Sequence, residues 1–105
     1  RVQARTTPGR VALPTVEHRY VVKIRCARQD MAVIRATFLQ ALNTNLLRFR
    51  SLGSHPVDDE KEMEIEATLF SGRDETQSVE RVATHLALDP NVHSVVWEIT
   101  QETEE

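Results

Sequence analysis

Cysteine is almost missing from this chain of 105 residues: Cys26 stands alone, which excludes an internal disulfide framework and every two-cysteine zinc or redox motif. A reducing compartment is the simplest setting for such a chain. No apolar run approaches the ~20 residues that a membrane helix needs, so no helix here is expected to cross a bilayer. No signal-peptide pattern is read at the start, and a chain opening at Arg1 is expected to be a piece of a longer protein. Positive charge is also scarce beyond the first residues. The net charge is -3, yet Arg1, Arg5, Arg10 and Arg19 against Glu17 make residues 1–19 +3 and leave -6 for the remainder. An acidic body argues against a nucleic-acid surface, which neutralises phosphates with clustered Lys and Arg.

What is present is alternation. From Lys61 to Ser71, Met63, Ile65, Ala67 and Leu69 interleave with Glu62, Glu64, Glu66 and Thr68, the period of two that gives a strand one dry and one wet face. Three glutamates along one face repel unless neighbouring strands bring positive charge. His18 to Cys26 alternates likewise, with Tyr20, Val22, Ile24 and Cys26 on one side and Val21, Lys23 and Arg25 on the other. Leu47, Phe49 and Ser51 against Arg48, Arg50 and Leu52 predict a shorter strand, and residues 53–60 a polar hairpin connection. Val95, Trp97 and Ile99 against Val96 and Glu98 predict the last one.

Between the strands the period changes to that of a helix. Met31, Ile34, Phe38, Ala41, Leu42 and Asn45 share one side, with Asp30 as cap and an end near Asn43 to Asn45. Val79, Val82, Ala83 and Leu86 form a second stripe after Asp74 and Gln77, spaced as a capping box and closed by Asp89 and Pro90. Residues 1–17 are expected to be a basic flexible linker, 18–101 one domain, and 102–105 an acidic frayed tail. The order βαββαβ predicts an α+β, ferredoxin-like fold: a four-stranded antiparallel sheet with both helices on one face. In strand order fourth, first, third, second, the wet face would run Lys23 and Arg25, then Glu62, Glu64 and Glu66, then Arg48 and Arg50. That is a basic, acidic, basic ladder.

Candidate chemistry is sparse. Asp58, Asp59 and Glu60 beside His55 have the oxygen-rich character that Mg²⁺ prefers, but without calcium-loop spacing the solvated hairpin tip is the favoured reading. His18, His55, His85 and His93 show no ligand spacing, so no metal residues are assigned. Cys26 reads as a small core residue. An acylphosphatase-like enzyme needs glycines between the first strand and first helix, where this chain has Ala27-Arg28-Gln29-Asp30, and no catalytic residue is assigned. An RNA-recognition module stacks bases on open-face aromatics, whereas Tyr20, Phe49 and Trp97 are expected to point inward. Ala32, Ala36 and Leu39 make a second small stripe, a candidate contact face or inert helix surface.

Arg19-Tyr-Val-Val-Lys-Ile-Arg-Cys and the closing Asp89-Pro-Asn-Val-His-Ser-Val-Val-Trp-Glu-Ile resemble the ACT-like domain. The span from about residue 18 to 101 resembles the C-terminal domain of the MgtC family of bacterial membrane proteins, of the mycobacterial type. The resemblance implies an N-terminal membrane domain followed by this domain on the cytoplasmic side of the plasma membrane. It also implies a part in adaptation to low magnesium and in survival inside macrophages. A basic run after a membrane segment fits Arg1, Arg5 and Arg10. Ligand-binding ACT domains hold an amino acid near a glycine after the first strand; Ala27 to Met31 lack it, so no cofactor-binding residue or amino-acid ligand is carried over. The expectation is a non-catalytic regulatory or protein-interaction domain with no cofactor and an unidentified protein partner, self-association being open. The alternative is a small-molecule sensor for an amino acid or Mg²⁺.

Overall fold

The computed structural model describes residues 15–42, 47–59 and 61–104. The glutamate-rich alternation folds as β3 (Glu62–Ser71), an interior strand of a four-stranded antiparallel sheet. It pairs on one side with β1 (Thr15–Ala27) and on the other with β2 (Arg48–Val57), while β4 (Val92–Glu104) flanks β1. The order β2-β3-β1-β4 is the expected one. Between β1 and β2 lies α1 (Met31–Leu42), and between β3 and β4 lies α2 (Thr76–Ala87). This is the βαββαβ arrangement, and the apolar rows of β1 and β3 are what the helices cover.

Tyr20, Ile24, Cys26, Ile65 and Ala67 lose all contact with solvent, as do Ile34 and Phe38 from α1 and Leu86 from α2. Val79, Val82 and Ala83 complete the α2 stripe, so both helical faces are the ones that the 100° spacing selects. Removing a buried side chain of this size from water contributes about 1.5–3 kcal/mol each, and the central strands supply half of the layer. The Tyr20 hydroxyl is not left unpaired inside: it accepts the Glu75 N–H at 2.8 Å and so ties the start of α2 to β1.

Several local expectations need correction. Asp30 does not cap α1, because Arg28–Asp30 form a single 3-10 turn that runs directly into the helix. At α2 the capping box is not formed: the N-cap is Glu75, without a side-chain cap bond, and Asp74 makes an Asx turn one residue earlier. Asp74 Oδ1 accepts the Thr76 N–H at 2.9 Å and its hydroxyl at 2.6 Å, but Gln77 sends no bond back among the described residues. Residues 53–57 are not a loop; they continue β2, and the hairpin tip follows at Asp58 and Asp59, where the Lys61 N–H donates to the Asp58 carbonyl at 3.2 Å. β1 begins at Thr15 and β4 continues through Glu104, so the domain limits at 17/18 and 101/102 fall inside strands that pair from Thr15↔Glu104 onward. Strand pairing holds the ends that composition alone marks as loose. Residues 1–14, the α1 end at Asn43 to Asn45, Glu60 and Glu105 lie outside the described residues.

Candidate functional site

The face of the sheet turned away from the helices carries the only concentration of ionisable groups that several strands build together among the described residues. Lys23 faces Glu66 and Arg25 faces Glu64 across the β1–β3 ladder, as the charge pattern predicts. The Arg25 guanidinium lies between two carboxylates, 3.9 Å from Glu62 and 3.8 Å from Glu64. Two imidazoles close the row. His55 on β2 sits opposite Glu64, with Nε2 at 3.5 Å, and His93 on β4 places Nδ1 2.5 Å from Glu62 Oε2. His93-Glu62-Arg25-Glu64-His55 thus spans all four strands, and Glu64 is only 7% exposed although it lies on the uncovered face.

The second half of the expected ladder is not there. Arg48 faces Phe70 rather than a glutamate, and the register slips between Phe49 and Ser51 so that Arg50 occupies a bulge. Glu66, Glu64 and Glu62 face Gly53, His55 and Val57 instead. Arg50 bonds to Glu17 at 2.7 Å and lies 4.8 Å over the Phe70 ring, while Glu17 also takes Arg19 at 3.2 Å. A residue-level signal for the bulge exists: Phe49 and Leu52 are apolar three apart, which a regular strand cannot put on one face. After the slip both do face the helices, opposite Leu69 and Ala67. Phe49 meets Phe38 edge-on at 6.0 Å.

Chemically this row is committed to itself. Arg25 occupies the place between the carboxylates that a cation would need, and no three His, Cys, Asp or Glu side chains among the described residues converge in a metal-binding arrangement. No hydroxyl or thiol hydrogen-bonds to His55 or His93 among the described residues, so neither has a nucleophile to activate. At the hairpin tip, Asp58 and Asp59 have left-handed φ of 48° and 58°, a conformation that Asp tolerates, and both are exposed. Their neighbour Glu60 lies outside the described residues.

The β1–α1 junction, where an amino acid would be held, is also committed internally. The Arg28 N–H donates to the Lys61 carbonyl at 3.2 Å, using for the hairpin a donor that a ligand carboxylate would need. Cys26 beside it is fully buried, and desolvation, then the charges of Asp30 and Glu62, push its thiol pKa up, so it stays protonated and inert. At the α2 start, Glu75 takes the Ser78 hydroxyl at 2.8 Å and Arg73 at 3.0 Å, and Asp74 holds Thr76. That fills the depression around this terminus with partners from the chain itself. A wider hollow of about 560 Å³ is formed by outward side chains of α2, among them Glu80 and Arg81, with Leu88 just past its end, and is open to solvent.

Apolar groups on the surface are the remaining feature. Ala32, Ala36 and Leu39 are exposed on α1 as expected, joined by Val33. Phe49 and Leu52 on β2 and Ile99 on β4 are exposed at the two edges of the sheet, where two helices are too few to cover four strands, and Val96 on β4 is exposed on the open face beside Lys23. Trp97 packs against the core but stays partly open.

Comparison with known proteins gives one family. Residues 20–97 match the model of the MGTC/SAPB C-terminal domain. Protein MgtC of Salmonella typhimurium is 25% identical over 83 residues, 79% of this chain and 36% of that protein, so the chain spans about a third of the length of the curated relatives it matches. The solution structure of the C-terminal domain of the MgtC protein from Mycobacterium tuberculosis superposes with a TM-score of 0.70 at 24% identity. It covers 79% of this chain and 87% of that one. The ACT domain from GTP pyrophosphokinase of Chlorobium tepidum follows with a TM-score of 0.59 at 8% identity, over 78% and 99%. These two structures establish the fold and not the activity.

Proposed function

The chain belongs to the MgtC/SapB C-terminal domain family, and from that we propose that it is a non-catalytic regulatory or protein-interaction domain of an MgtC-type membrane protein. In this reading the domain sits on the cytoplasmic side, below a membrane domain that precedes it, and serves adaptation to low magnesium and survival inside macrophages. The observation that carries the reading is the internal commitment of each place where a small ligand would bind. Arg25 fills the gap between Glu62 and Glu64, Lys61 takes the Arg28 N–H, and Asp74 takes the Thr76 N–H. Surface apolar side chains at both sheet edges and on α1, by contrast, have no cover among the described residues.

The test is a residue-resolved NMR titration with Mg²⁺ and then with a panel of amino acids at physiological ionic strength. Diffuse, salt-like shifts are expected. Saturable shifts confined to Asp58 and Asp59, or to Ala27 through Met31, would replace this reading with a sensor of the metal or of an amino acid.

A further inference from the structure

β2 is the one strand of the sheet without a carboxylate: no Asp or Glu occurs from Arg48 to Val57, whereas β1 carries Glu17 and β3 and β4 carry three glutamates each. Its first half is both basic and oily. Arg48 faces Phe70 across the ladder and Arg19 faces the same Phe70 from β1, so two guanidiniums flank one ring on the open face. The bulge sends Arg50 over that ring at 4.8 Å, and Arg50 and Arg19 share the carboxylate of Glu17. On the helix side of the same edge, Phe49 and Leu52 are 38% and 36% exposed. The acids of β4 are held away from this corner: Glu98 and Glu102 pair in register with Val21 and Glu17, and two strands separate β4 from β2. Here too the chain enters the sheet, with β1 starting at Thr15 after residues 1–14, which include Arg1, Arg5 and Arg10.

We infer that the β2 edge, Arg48, Phe49, Arg50 and Leu52 with Arg19 beside them, is a docking surface for the phosphate headgroups of an anionic membrane. Guanidiniums reach the headgroup phosphates, and the apolar side chains next to them enter the boundary with the acyl chains. The acidic remainder of the body is repelled by the same surface, which turns this edge toward the membrane and the Asp58 and Asp59 hairpin tip away from it. Arg48 and Arg19 start from strands two spacings apart, about 9–10 Å, a separation that suits an array of headgroups and not one enclosed anion. RNA fits less well, because Arg50 already covers the Phe70 ring on which a base would stack. Nor does the edge suit another strand, since the bulge and Pro56, which has no N–H to offer, interrupt its outer hydrogen-bonding row.

The inference rests on the proposed placement of the domain below a membrane domain, and its test uses neither Mg²⁺ nor amino acids, so it can fail without the titration above and the reverse. The chain is sedimented at physiological ionic strength with vesicles of phosphatidylcholine alone, and with vesicles of which about a third is phosphatidylglycerol. Binding to the anionic vesicles only is expected, and it should fall as salt is raised. Arg48→Gln should weaken it about fivefold, and Leu52→Ser about threefold, with circular dichroism unchanged in both. Arg81→Gln, the same loss of charge on the exposed outer side of α2, should leave binding as it was. No binding, equal binding to both vesicles, or binding as tight with Arg48→Gln and Leu52→Ser as without them overturns the assignment. So does binding lost only when Arg1, Arg5 and Arg10 are changed to Gln, which would place the contact in residues 1–14. Saturable NMR shifts at Arg48 and Phe70 with inorganic phosphate or with poly(U) would replace the membrane by a free anion or by a nucleic acid.

Discussion

The two faces of the same four strands are stabilised by different physics. On the helix side, Tyr20, Ile24, Ile65 and Ala67 are excluded from water beneath Ile34, Phe38 and Leu86. The free energy there scales with buried area and depends little on which oily neighbour a side chain has. On the open side, Arg25, Glu62, Glu64, His55 and His93 hold one another at 2.5–3.9 Å, and a displacement of one residue along a strand exchanges every partner. The dry face therefore provides most of the stability. The wet face decides which strand lies beside which.

The contrast is broken most severely by Ile65→Asp. Ile65 is fully buried between β1 and β2 with no cation near enough to pair with a new carboxylate among its cross-strand neighbours, Ile24 and Ser54. An uncompensated charge there costs several kcal/mol, on the order of the whole stability of a small domain. Circular dichroism and amide dispersion should show an unfolded chain at pH 7. A cooperative melt near that of the unaltered protein would mean that the dry face is misassigned.

Glu64→Lys on the opposite face is the sharper probe, since it changes a charge without touching the core. Glu64 is almost as enclosed as a core residue, so an ammonium between Arg25 and His55 should cost about 1–2 kcal/mol, more than a fully exposed pair but less than a buried one. Urea denaturation should place its midpoint below that of the unaltered chain with the same slope. A loss equal to that of Ile65→Asp would erase the distinction between the faces.

Much of this contrast was legible in the residues. Alternation identifies β1 and β3 and which of their side chains face inward, and the 3.6 period identifies the α2 stripe without error. Opposite charges at matched spacing place Lys23 and Arg25 beside the glutamates. What failed is instructive. Two arginines on β2 promised a third column, but one extra residue at the bulge moved them out of it and brought His55 in. His93 is 31 residues from Glu62, and nothing local announces that pair. Long-range register carries it, and the length of β2 was hidden because Gly53 and Pro56 carry the composition of a loop.

Where β1 meets the start of helix α2, smaller effects follow. Tyr20→Phe keeps the buried ring but removes the acceptor of the Glu75 N–H, leaving a donor unpaired at a nearly closed position. That should cost about 1 kcal/mol. It should also raise amide exchange at Glu75 and Thr76 more than in β3. Uniform exchange throughout the chain would show that the hydroxyl does not anchor the helix.

The least effect is expected at Asp74, and it is legible as a dependence on pH rather than as a change at neutrality. The hydrogen bonds from the Thr76 hydroxyl and then its N–H hold the Asp74 carboxyl below the usual value, with smaller help from His18 and the Tyr20 hydroxyl against a slight desolvation. A carboxyl lowered in the folded state binds its proton more readily when unfolded. Its contribution is therefore fully present above about pH 4, the ordinary aspartate value, and is lost as pH falls through the lower folded value. Asp74→Asn should flatten the melting temperature against pH in that acid window and leave the curve parallel above pH 5. If both proteins kept the same slope between pH 4 and 2, the carboxylate would not be what holds Thr76, and the start of α2 would rest on Tyr20 alone.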